Sequence, residues 1–119
     1  MVGSRAGQRP VYIPSMGDVV RFEFDPQAGH EQGGIRPALV LSPQKYNRAS
    51  NLAIVCPITT KVKGYPFEVP VPEGYKVTGV ILADHLKSAD WQARKASFIC
   101  KLPDDVVEEV LVLFNTIFE

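Results

Sequence analysis

Apolar residues in this chain come in runs too short for a helix until the tail, where their period changes. Ala38 to Leu41, Leu52 to Ile58 and Phe67 to Val71 are each bounded by Gly, Pro, Asn or Ser, which favours strands. Residues Asp18 to Asp25 alternate, with Val20, Phe22 and Phe24 on one face and Val19, Arg21 and Glu23 on the other, the period of a half-buried strand. Val77 to Ala83 and Ala96 to Cys100 supply two more strands. The segment TKVKGYP between the second and third apolar runs reads as a hairpin connection. Pro70 and Pro72 lack an N–H, so the strand that carries them belongs at an edge or a bulge. From Val107 the apolar residues Val110, Leu111, Phe114, Ile117 and Phe118 recur at helical spacing, behind Pro103, Asp104 and Asp105, which suit a helix start. Many short strands and one terminal helix predict a mainly β fold, a small antiparallel barrel or sandwich with a helix packed on it.

The chain has 119 residues, enough for one core and too few for two ordinary domains. Residues 1–15 are expected as a flexible N-terminal tail and 16–119 as a single domain. Met1 to Gln8 has no apolar core of the kind a secretory signal needs, and no apolar run approaches a membrane span, so a cytoplasmic location is expected. Cys56 and Cys100 sit inside apolar runs and lack any metal-ligand spacing, which suits buried thiols. The zero net charge hides an asymmetry: ten Lys or Arg stand against five acids from His30 to Leu102, and five acids with no base follow Pro103. A basic middle permits a nucleic-acid footprint, although a solvated charge distribution without a ligand is the commoner explanation of such modest numbers.

Standard nucleophile, phosphate-cradle and zinc motifs are missing, and with two histidines, His30 and His85, a His-rich metal site is not expected. The richest polar cluster is GHEQGGIRP, residues 29–37, where His30, Glu31, Gln32 and Arg36 sit in a glycine-bearing loop ahead of a buried strand. Loops held by rigid strands are where binding and catalytic groups tend to lie. By composition alone the same stretch reads as a solvated loop whose glycines serve turns.

Three strings in order, MGDVVRFEFDPQAGHEQGGIRPALVLSPQKYN, VCPITTKVKGYPFEV and ADHLKSADWQARK, resemble the successive blocks of MazF-like (PemK-like) messenger RNA interferases, the toxins of type II toxin–antitoxin pairs. The resemblance runs from Met16 to about Leu113. It implies a small SH3-like antiparallel β-barrel with a C-terminal α-helix. It also implies sequence-specific cleavage of single-stranded RNA, leaving a 2′,3′-cyclic phosphate and a 5′-hydroxyl, with no metal and no other cofactor. Matched residue by residue, the family's catalytic arginine falls on Arg36, its threonine on Thr59 and its loop glutamate on Glu31. Gln32, Lys63, Lys87 and Arg94 lie in matched blocks as candidate RNA contacts, with solvated surface residues as the plainer reading. The partners so implied are single-stranded RNA, a second copy of the chain in a homodimer, and a cognate acidic antitoxin.

Such chemistry calls for such groups. Negative charge grows on the nonbridging oxygens as a 2′-hydroxyl attacks phosphorus, and a planar guanidinium grips two of them at once. A threonine hydroxyl both donates and accepts, so it can hold the phosphate or orient the attacking group. Arginine is a poor base, which leaves Glu31 to move a proton or to orient Arg36, with its neighbour His30 a chemically suitable acid. His85 stands where relatives commonly carry a glutamine. Trp91 is expected in a core or interface, with base stacking the alternative. Two rival functions use a related fold. A gyrase poison relies on a tryptophan near the C-terminus, whereas this tail reads LVLFNTIFE; a nonenzymatic SH3-like RNA-binding module has no need of the Arg36 and Thr59 pair.

Overall fold

Alternation along β1 (Asp18–Phe24) sends Val19 to one face of a sheet and Val20, Phe22 and Phe24 to the other, and the two sets enter two different cores. The computed structural model describes residues 11–24 and 34–119. After β1 come β2 (Gly34–Val40), α1 (Gln44–Ser50), β3 (Leu52–Thr59), β4 (Glu68–Pro70) and β5 (Val80–Leu82). A 3₁₀ turn (Ala83–His85), β6 (Lys87–Asp90), β7 (Ser97–Lys101) and α2 (Asp104–Thr116) complete the described chain. The strands pair antiparallel in the order β4-β5-β3-β2-β1-β7, and β6 pairs with β3. The expected mainly β fold with a terminal helix is therefore what forms, but the sheet does not close among the described residues, so "barrel" describes it only loosely.

One core lies between the sheet and α2. Leu39, Cys56, Ile58, Val69 and Ile81 meet Val106, Val107 and Val110 of the helix there. Pro103 precedes that helix at its cap and the acids Asp104 and Asp105 occupy its first turn, next to the positive end of its dipole. The other core holds Val20, Phe22, Ala38, Val40, Ala53, Val55 and Trp91. Trp91 is 4% exposed and donates from Nε1 to the Asn47 carbonyl at 2.9 Å, so the expected core tryptophan is in place.

Three elements depart from the sequence reading. TKVKGYP joins strands that are not hairpin partners, because β5 lies between them: Ile81 pairs with both Ile58 and Val69. The hairpin is β4–β5, and β4 ends the strand order, the edge that Pro70 requires. Helix α1 carries no apolar stripe, and its one buried residue is Asn47. That side chain donates to the carbonyls of Pro14 at 2.8 Å and Ser42 at 3.1 Å and accepts from the Ser42 hydroxyl, so polar bonds rather than burial of an apolar face hold the helix. Strand β6 was likewise unsignalled, since Ala89 is its only apolar residue; pairing with Leu52 to Val55 defines it.

The stretch expected as a tail divides. Residues 1–10 lie outside the described residues, while 11–15 are fastened to the fold. Tyr12 and Ile13 pack on the second core, the Tyr12 hydroxyl donates to the buried Asp18 carboxylate, and Ser15 N–H donates to it at 3.0 Å. Lys101 Nζ completes the shell of Asp18 at 3.0 Å. Burial, and then the bond to Asp18, push the Tyr12 phenol far above the usual tyrosine range.

Candidate active site

Strand register puts Arg36, which stands in β2 rather than in the expected loop, on one face with Thr59. The ladder between β2 and β3 pairs Val40 with Val55 and ends at Ala38 with Pro57. Two residues further along each strand, on the same face by alternation, stand Arg36 and Thr59. Arg36 pairs with Phe22 of β1 and Thr59 with Val80 of β5, each on the edge of its strand away from the β2–β3 ladder. The two residues thus stand just past the last β2–β3 pair, at the end of the face that carries Ala38, Val40 and Val55. Arg36 is half-buried; Thr59 is 6% exposed.

The Thr59 hydroxyl oxygen accepts from the Lys61 N–H at 3.1 Å. That bond occupies one lone pair and leaves the hydroxyl proton for a phosphate oxygen or an attacking group. The Thr59 backbone is held from the other side by Gly79, whose φ is +113°. A Cβ there would lie 2.1 Å from the Thr59 carbonyl oxygen. Only glycine allows β5 to approach so closely.

Of the other expected site residues, Lys87 of β6 pairs with Val55 and so shares the Arg36 and Thr59 face, half-buried. Lys63 is exposed in the loop that follows Thr59, its ammonium 5.8 Å from the centre of the Tyr65 ring. Arg94 lies beside β1: Nη1 donates to the Glu23 carbonyl at 3.4 Å, and Glu23 N–H donates to the Arg94 carbonyl at 3.0 Å. Glu31, Gln32 and His30 lie outside the described residues. His85 closes the 3₁₀ turn packed on α2, with Nε2 3.9 Å from Asp84 Oδ1. Sequence reasoning did not single out Tyr65, Glu68 or Gly79. The signals available were a glycine and a tyrosine beside two lysines in a polar loop, and a lone glycine ahead of a strand.

Among the described residues no group of three His, Cys, Asp or Glu is placed to hold a metal ion. Both cysteines are free thiols, Cys56 buried and Cys100 half-buried, so the expectation of two buried thiols holds fully for Cys56 only. Burial, and secondarily the charge of Asp84, push the Cys56 thiol up to about 12, which makes it an inert core group rather than a nucleophile.

The family described as PemK-like, MazF-like toxin of type II toxin-antitoxin system matches residues 15–118. The chain belongs to that family. Among its relatives, the endoribonuclease toxin MazF of Escherichia coli is 51% identical over 86 residues, 72% of this chain and 77% of the relative. The endoribonuclease toxin ChpB of the same species is 39% identical over 109 residues, 87% of this chain and 92% of its own length. The crystal structure of MazF from Deinococcus radiodurans superposes with a TM-score of 0.87 at 49% identity, covering 91% of this chain and 98% of that one. A crystal structure of MazE-MazF from the same organism gives 0.81 at 49% identity, with 91% and 97% covered. In this MazF-like chain the resemblance read from the three sequence blocks is therefore the correct family, and the open sheet with its terminal helix is that family's fold.

Proposed function

We propose that this chain is the endoribonuclease toxin of a type II pair, cutting single-stranded RNA at short sequences without a metal ion. The observation that supports this reading is the alternation of β2 and β3 past their last pair, Ala38 with Pro57, by which Arg36 and Thr59 fall on one face of a MazF-like fold. In the proposed reaction the ribose 2′-oxygen attacks the adjacent phosphorus as its proton leaves. The bond from phosphorus to the 5′-oxygen breaks, and that oxygen takes up a proton. The products are a 2′,3′-cyclic phosphate and a 5′-hydroxyl. Arg36 clamps the nonbridging oxygens as their charge grows, and the Thr59 hydroxyl donates to one of them or aligns the 2′-hydroxyl. Glu31 moves a proton or orients Arg36. Lys87 shares the face to hold a flanking phosphate, with Lys63, Arg94 and Gln32 as further contacts.

The toxin works in the cytoplasm as a homodimer and is silenced by an acidic antitoxin. Two of the relatives named above are called endoribonuclease toxins, and a neighbouring structure is a MazE-MazF complex, which supports the antitoxin partner.

The experiment is incubation of the purified chain with long unstructured RNA, followed by mapping of the new 5′ ends. Arg36→Ala and Thr59→Ala should each lower the cleavage rate by roughly 10² to 10³ while melting as the wild type does. Cleavage should survive excess EDTA, and the new ends should accept phosphate from a kinase directly. Either variant cutting at nearly the wild-type rate removes its residue from the mechanism; strict magnesium dependence or 5′-phosphate ends would overturn the chemistry.

A further inference from the structure

The eight residues between β3 and β4 (60–67) are tied down at almost every step. Lys61 N–H donates to the Thr59 hydroxyl at 3.1 Å and Val62 N–H to the Thr60 carbonyl at 3.0 Å. The two oxygens of the Glu68 carboxylate accept from Lys63 N–H at 3.0 Å and Gly64 N–H at 2.9 Å, while Glu68 N–H donates to the Tyr65 carbonyl at 3.1 Å. A loop so fastened loses little entropy when a ligand arrives.

Register says where this loop lies. Ile58, Ile81 and Val69 form one row across β3, β5 and β4, and all three belong to the core beneath α2. Alternation therefore turns the neighbouring row, Glu68 and Leu82, to the opposite face, the one that carries Arg36, Thr59 and Lys87. The loop pinned to the Glu68 carboxylate borders that face. At its tip Tyr65 is 61% exposed, an aromatic residue left in solvent on an ordered support, with the Lys63 ammonium over its ring, 5.8 Å from the ring centre. The loop contains two lysines and no acid.

A largely exposed aromatic ring with a cation over one face fits one repeating chemistry, a nucleobase next to its phosphate. Unpaired bases are bound by stacking on such rings, and the neighbouring charge tracks the backbone. We infer that Tyr65 is a stacking platform for a base flanking the scissile phosphate, with Lys63 holding the adjacent phosphate and Glu68 fixing the loop that presents both. This assignment rests on the RNA-cutting reading above.

Its test is fluorescence anisotropy with a labelled 2′-O-methyl RNA pool of random sequence, which can be bound but not cut. Tyr65→Ala should weaken binding by about 5- to 100-fold, the range of a lost base–aromatic stack. Tyr65→Phe, which keeps the ring, should restore most of the affinity, and Tyr46→Ala, another exposed tyrosine but on α1, should bind as the wild type does. On cleavable RNA the Tyr65→Ala loss should appear in KM far more than in kcat, because stacking forms already in the ground state. Equal binding by Tyr65→Ala and wild type, or a Phe variant as weak as the Ala variant, overturns the assignment and leaves the proposed cleavage standing. A wild-type chain that binds the pool through Tyr65 yet cuts no RNA sinks the cleavage reading alone. No binding by the wild type sinks both.

Discussion

Single side chains in this protein include titratable groups that burial keeps neutral. Cys56 is one of them, fully buried against Ala83 and Ile58 in the core beneath α2. Its folded pKa is raised to about 12, above the roughly 8.5 of an unfolded thiol. The protonated form is therefore the one that folding favours. That contribution to stability is complete below the unfolded thiol's pKa and is lost as pH climbs towards about 12. Melting temperature followed from neutral pH into the alkaline range should fall more steeply for the wild type than for Cys56→Ala, despite that variant's lower starting point from its cavity. Tyr12 pulls in the same direction, and the comparison cancels it. Ellman's reagent gives an independent reading: Cys100 should react in native buffer, and Cys56 only after denaturant is added. Two thiols reacting at one rate in native buffer would show that Cys56 is not sealed in the core.

Elements carry the next level, and the most constrained junction is the start of β5. Gly79 combines φ of +113° with a path for Cβ that ends 2.1 Å from the Thr59 carbonyl, whereas Gly74, at φ +93°, has nothing within 4 Å. Gly79→Ala should cost about 3 kcal/mol or more, a fall in Tm of roughly 10 °C or beyond, while Gly74→Ala carries backbone strain alone, of order 1 kcal/mol. If the two variants melt together, the close approach of β5 to Thr59 is not what supports the site. No periodicity in the sequence announces this contact, because it depends on which strand lies beside β3. The same limit explains what was legible. Alternation in β1 and the helical spacing of α2 are properties of neighbouring residues, so both were readable. Pro70 marked its own edge through a missing N–H. Helix α1 and strand β6 are made by distant partners, Asn47 with Pro14 and Trp91 in one case, Leu52 to Val55 in the other. The candidate site is similar: Arg36 and Thr59 were named from family blocks, but that they share a face and that Lys87 joins them are consequences of register, and Glu68 pins the loop beside them through its carboxylate.

At the scale of the whole molecule, apolar surface remains uncovered and charge remains unbalanced. Helix α2 buries Val106, Val107 and Val110 and leaves Val112 exposed, and just past its end Ile117 and Phe118 are exposed too, the last by 73%. Ile35, beside Arg36, is exposed by 57%. Large apolar side chains left in solvent are candidates for an interface, and a twofold interface covers the same residues on both copies at once. The basic middle of the chain, ten Lys or Arg against five acids from His30 to Leu102, would then be presented twice by the dimer. An acidic segment that folds as it binds is suited to such a surface, with charge setting the encounter and apolar contact the lifetime. Light scattering at micromolar concentration should give twice the mass of one chain, and Val112→Asp combined with Phe118→Asp should shift it towards the monomer. Inhibition of RNA cleavage by the cognate acidic partner should weaken as salt rises from about 0.05 to 0.5 M, since screening acts on exposed charge within a Debye length of roughly 4 to 14 Å over that range. A chain that cuts RNA while strictly monomeric removes the dimer from the mechanism. Inhibition indifferent to salt would leave the apolar contacts as the sole source of antitoxin affinity, and the charge asymmetry of the sequence without a role in it.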